Sequence, residues 1–84
     1  MNNEKIRLEA LEILNNHTDF INRVGKMFGA IWFSVSEFGL DHGEALFDSY
    51  VEAEMWLDNK FNTKKNFCSE FYSYIGGRSY REFY

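Results

Sequence analysis

Residues 37–58 read EFGLDHGEALFDSYVEAEMWLD, and the fold expected for the chain turns on whether this stretch is one helix. Several signs favour it. Gly39 breaks what precedes, Asp41 is a good N-cap, and Glu44 three residues on completes a capping box. At about 100° per residue, Leu46, Tyr50, Ala53 and Leu57 line one face, with Phe47 at its border. Asp41, Glu44, Asp48 and Glu52 then share the opposite face within an arc of roughly 80°. Glu37 joins them if the helical phase survives Gly39.

A row of like charges is costly, at about 0.2–0.5 kcal/mol for each i,i+4 pair. The helix dipole excuses acids in the first turn, which covers Asp41 and Glu44 but not Asp48 and Glu52. Neighbours on a helix face lie about 5–6 Å apart, close to the phosphate separation along a nucleic-acid strand. Two readings follow. The row is either a solvated face that keeps a small protein soluble, or a DNA-mimicking surface that enters a basic groove built for nucleic acid. On the second reading the partner-binding residues are Glu37, Asp41, Glu44, Asp48, Glu52, Glu54 and Asp58, with Trp56 adding ring contact.

The surrounding charge is uneven. Residues 28–59 hold seven acids and no lysine or arginine, whereas residues 1–27 balance four acids with four bases. Residues 60–84 carry Lys60, Lys64, Lys65, Arg78 and Arg81 against only Glu70 and Glu82. The net charge of −4 therefore conceals a polarised chain, which implies a charged partner or a head-to-tail self-contact.

Upstream, residues 3–15 carry a helical stripe of Ile6, Ala10, Ile13 and Leu14, and Asn15-Asn16 is expected to end it. Thr18 then caps a second helix in which Phe20, Val24, Met27, Ile31, Val35 and Phe38 recur at helical spacing. A strand over residues 31–38, alternating Phe33 and Val35 with Ser34 and Ser36, is the competing reading; the unbroken helical phase is preferred. Gly25 and Gly29 leave room for another backbone to approach. Downstream, Asn59 to Thr63 reads as a turn. Thr63 opens a fourth helix carrying Phe67, Phe71, Tyr74 and Ile75, with Gly76-Gly77 as its C-cap. Residues 78–84 form a basic aromatic tail. The expected fold is all-α: a compact bundle of about four amphipathic helices in one domain spanning residues 1–84.

Composition narrows the function. A chain of 84 residues makes one domain and buries only about 60–65 % of its unfolded surface. Nine Phe, five Tyr and two Trp exceed the needs of one small core, which points some rings to an interface, with itself or another protein. The single cysteine, Cys68, excludes an intrachain disulfide framework. No apolar run approaches the ~18–20 residues of a membrane span, and the charged N-terminus lacks the apolar stretch of a signal peptide. A cytoplasmic protein is expected.

No constellation for catalysis assembles. On a helix Asp41 and His42 point about 100° apart, and neither HExxH nor CxxC spacing occurs. His17 falls in a turn without a sequence-adjacent partner, and nothing nominates a base for Cys68. No enzyme activity, metal or cofactor is expected. Direct nucleic-acid binding through the lysines and the tail would have to overcome the acidic centre, and is the third choice.

In its small size, lack of proline, surplus of rings and one-sign acidic helix, the chain resembles in general character the small inhibitors that phages make against host nucleases, the antirestriction and anti-CRISPR proteins. That resemblance implies a protein partner with a basic surface, a nucleic-acid-handling enzyme, met in the cytoplasm of a host cell. The alternative is a self-associating helical adaptor or structural protein, a homo-oligomer in which the acids only solvate.

Overall fold

The computed structural model describes residues 3–25 and 27–83. In chain order it runs α1 (Asn3–Val24), β1 (Phe28–Ser36), β2 (Gly39–Phe47), α2 (Tyr50–Lys64), β3 (Glu70–Ile75) and β4 (Arg78–Phe83). The strands make one antiparallel sheet in the order β2-β1-β3-β4. This α+β architecture overturns the expected all-α four-helix bundle.

The error begins at β1. Its residues from Gly29 to Val35 are all buried, because a helix covers each face of the sheet there. A strand buried on both sides shows no polar alternation, and a continuous apolar run fits a helical period as well as an extended one. The strand reading of residues 31–38 is the correct one for most of that segment. Even-numbered side chains of β1 face α2, where Ala30 and Trp32 join Phe71, Ile75, Ala53 and Leu57 in the main core. Phe71 and Leu57 are fully buried, and each contributes about 1.5–3 kcal/mol by leaving water. Odd-numbered side chains, Ile31, Phe33 and Val35, face the α1 side.

Helix α1 does not stop at Asn15-Asn16. Both are exposed, and asparagine on an open helix face costs less than about 1 kcal/mol. The stripe of Ile6, Ala10, Ile13 and Leu14 continues through buried His17 and half-buried Ile21 onto the sheet. Thr18, expected as a cap, sits inside the helix and donates its hydroxyl to the Leu14 carbonyl at 2.9 Å. Gly29 does permit a close approach, but of side chains: a β-carbon there would run into Ile21.

The stretch 37–58 is not one helix. Gly39–Phe47 is strand β2, paired along its length with β1 from Ser36↔Gly39 to Phe28↔Phe47. The helix starts only after Ser49, whose hydroxyl accepts the Glu52 N–H at 3.2 Å. The working N-cap is therefore Ser49 with Glu52 three residues on, not Asp41 with Glu44. Ala53 and Leu57 do form the buried face of α2. The expected turn at Asn59–Thr63 lies within this helix. The expected fourth helix is instead the end of α2 followed by β3, in which Phe71, Ser73 and Ile75 alternate inward. Gly76 and Gly77, at φ 61° and 82°, form a two-residue hairpin turn with both central residues left-handed. The supposed tail is β4; Tyr84 lies outside the described residues.

Candidate functional site

Strands β2 and β4 are the two edges of the sheet, and the base-free part of the chain builds the β2 edge and what surrounds it. Glu37 sits exposed in the β1–β2 turn. Asp41 and Glu44 are exposed on β2, Asp48 is exposed in the link to α2, and Glu52 is exposed in the first turn of α2. On a strand, three residues span about 10 Å, so Asp41 and Glu44 are farther apart than helical neighbours would be, and they point to opposite faces. The phosphate-like row expected from a helix does not exist. What remains is an acid-rich flank of five carboxylates spread over a turn, an edge strand and a helix start.

Two of the five are tied to their own subunit. Asp41 takes the Lys64 ammonium at 3.0 Å and also accepts the His42 N–H at 3.0 Å. On the other face, Glu44 takes Nδ1 of His17 at 3.1 Å. His17 is thus not in a turn but buried in α1, with its partner 27 residues away; no local signal in the sequence could have paired them. His42, expected on a helix surface, is exposed on β2.

The remaining predicted residues stand elsewhere. Asp58 lies on the β4 side of α2, where one carboxylate oxygen accepts the Tyr80 hydroxyl at 2.9 Å and the Arg81 guanidinium at 3.0 Å. Glu54, one turn earlier, acts on the same Tyr80 hydroxyl. Trp56 is half-buried against Phe47, with ring centroids 5.6 Å apart, and the Lys60 ammonium sits 5.6 Å over its ring. It is not the exposed contact expected. Among the exposed rings here, Tyr50 and Phe67 included, the most exposed is one that sequence reasoning assigned to a core: Phe38, at the tip of the β1–β2 turn, is 93 % exposed. A phenylalanine beside Gly39 at a two-residue strand junction was the signal available.

The bases proposed for a nucleic-acid clamp are mostly engaged within the fold. Lys64 pairs with Asp41 and lies 5.1 Å over Trp32, Lys65 lies over Phe61, and Arg81 pairs with Asp58 while lying 4.6 Å over Phe61.

Clefts on the surface of the described residues include two of similar size. One, of about 530 Å³, lies beside the β1–β2 turn and is lined by Glu37, Phe38, Asp41, Lys64, Phe67 and Cys68 among others. Burial pushes the Cys68 thiol upward and outweighs the opposing pull of Lys64, which disfavours the thiolate a nucleophile needs. The other, of about 500 Å³, lies between the first half of α1 and β3, over Phe33, with Leu11, Leu14, Tyr72 and Tyr74 along its walls. Tyr72 donates to Glu70 there at 2.5 Å. Among the described residues no group of three or more His, Cys, Asp or Glu could hold a metal ion, and no helix is long and apolar enough to cross a membrane.

No family model, no curated protein and no solved structure matches this chain.

Proposed function

We propose that this protein is a small protein-interaction module that offers its β2 flank to a basic protein surface, of the kind with which an enzyme grips nucleic acid. One observation supports the reading above the others. Glu37, Asp41, Glu44, Asp48 and Glu52 are spread along and around the β2 edge of the sheet, while the arginines Arg78 and Arg81 lie on the opposite edge strand. A surface sorted in this way steers an oppositely charged partner and fixes its orientation. The loss of helical spacing changes the mechanism: the flank works as a field of negative charge, with Phe38 as an apolar contact, and not as a copy of a phosphate row.

The test is capture of nucleic-acid enzymes on the immobilised protein across a salt series, with duplex DNA as competitor. Enzymes held at low salt should leave as screening shortens the reach of surface charge to about 8 Å and below, and DNA should displace them. The double variant Glu37→Lys/Asp48→Lys changes two exposed groups outside the fold's hydrogen bonds and should abolish capture. Capture equal for the variant and the parent would overturn the proposal.

A further inference from the structure

Strand β2 has a neighbour on one side only. Toward β3, the carbonyls of Gly29 and Val35 accept the N–H groups of Gly76 and Ser69. Odd-numbered residues of β1 therefore turn their main chain to β3, and even-numbered ones to β2. The register sets those even residues opposite Gly39, Asp41, Gly43, Ala45 and Phe47. It follows that Leu40, His42, Glu44 and Leu46 turn their main-chain N–H and C=O outward from the sheet. The His42 N–H confirms the direction, since it is taken up by the exposed Asp41 carboxylate beside it.

An outward row of this kind is a template for another strand, and proteins guard such rows with short or bulged strands, proline, or outward lysine. The other edge is guarded. Strand β4 has six residues, carries two arginines, and is joined to β3 across a register shift at Ser73/Tyr74. Strand β2 has nine residues in unbroken register, with no proline and no lysine. Its two carboxylates are drawn back onto their own subunit, Asp41 by Lys64 and Glu44 by His17.

We propose that a second copy of this chain adds to the β2 edge, antiparallel, about a two-fold axis through Gly43. In that register Leu40 of one copy lies opposite Leu46 of the other, and His42 lies opposite Glu44. Each pair occurs twice. The two half-buried leucines flank the His42–Glu44 pairs, and all four residues are those whose main chain points outward; with the His42 N–H of each copy held by Asp41, about six hydrogen bonds remain for the joint. Moving the axis to His42 sets imidazole against imidazole, and moving it to Glu44 sets carboxylate against carboxylate. An axis between two residues opposes outward groups with inward ones. An axis at Gly43 sets imidazole opposite carboxylate, leucine opposite leucine, and outward main chain opposite outward main chain. The contact is isologous, so it closes as a dimer and leaves only the guarded β4 edges free. The proposal does not rest on a basic partner but competes with one for the β2 edge, and the two respond oppositely to salt: screening eases the approach of two acid flanks and weakens the hold on a basic surface.

Sedimentation equilibrium over a concentration series tests it. The parent chain should show a monomer–dimer equilibrium. His42→Glu places like charges opposite each other twice and should weaken the dimer by about tenfold or more, whereas His42→Lys should hold or tighten it. Neither touches the Glu44–His17 contact. Asn16→Glu and Asn16→Lys make the same charge changes on the exposed side of α1 and should leave association unaltered. A chain that is monomeric at every concentration overturns the proposal, and so does a dimer that responds alike to the two positions.

Discussion

Nδ1 of His17, in the middle of α1, lies 3.1 Å from the carboxylate of Glu44 on the edge strand β2. A carboxylate only accepts hydrogen bonds, so Nδ1 carries the proton. The ring is almost fully buried while Glu44 is about half exposed. Glu44→Ala should destabilise the fold by about 1 kcal/mol, the net worth of such a bond. In the background of His17→Phe, where no buried donor is left, the same change should cost much less. Urea unfolding of the two single variants and the double variant measures the difference; equal costs in both backgrounds would show that the contact does not hold α1 to β2.

Gly43 lies under the Trp32 indole, and a β-carbon there would sit 2.6 Å from Nε1. The ring has little freedom to withdraw, being stacked on Phe71 at 6.2 Å with Lys64 on it as well. Alanine at a permissive glycine commonly stabilises through the unfolded chain. Here Gly43→Ala should instead destabilise by about 1–3 kcal/mol, as overpacked cores do, and shift the tryptophan emission. An unchanged denaturation midpoint would count against the packing described.

Burial pushes the phenols of Tyr80 and Tyr74 above their ordinary value, aided by the Asp58 hydrogen bond at Tyr80 and by the Glu82 charge at Tyr74. A group whose folded form holds its proton more tightly supports the fold while the unfolded chain is still protonated. That support is complete below about pH 10 and is lost as the pH rises through the higher folded values. Stability should therefore fall with alkali from about pH 10 upward, less steeply in Tyr80→Phe and Tyr74→Phe. Tyrosinate absorbance of the folded protein should lose a late-ionising component in the Tyr80→Phe/Tyr74→Phe double variant, and a late component unchanged by the two substitutions would contradict this.

Asp58 and Glu54 stand one turn apart on α2, yet their fates under mutation should differ. Asp58 holds both Tyr80 and Arg81, so Asp58→Ala should cost about 1–2 kcal/mol. Glu54→Ala should stay within about 0.5 kcal/mol, as surface changes do. Thermal unfolding of the two variants side by side decides between a structural and a merely solvated Asp58.

Where the sequence was legible, a local signal had one meaning. The stripe of α1 and the buried Ala53 and Leu57 reappear in the structure. The helical reading of residues 41–47 failed because Asp41 and Glu44 imitate a capping box whose real counterpart, Ser49 with Glu52, stands eight residues later. The hairpin of β3 and β4 was readable: two aromatic runs separated by Gly76-Gly77 signal a tight two-residue turn, and the C-cap reading displaced it. Trp56 and His17 could not be placed from sequence. Their surroundings come from β2 and from pairing over long distances in the chain, which no local pattern encodes.

The order α1-β1-β2-α2-β3-β4 amounts to two consecutive helix–hairpin units, and of the sheet's three strand pairings only β1 with β3 crosses from one unit to the other. The link between them at Asp48-Ser49 is thus a natural place to divide the chain. Fragments 1–48 and 49–84 each retain a helix with its own hairpin, and α2 with Phe71 and Ile75 keeps part of the core together. Mixed in solution they should recover the circular dichroism of the whole chain, with a midpoint that rises with fragment concentration. A protein arranged this way is already partitioned for use as a split reporter, its two halves joined through one antiparallel seam and through the core that Ala30 and Trp32 share with Ala53, Leu57, Phe71 and Ile75.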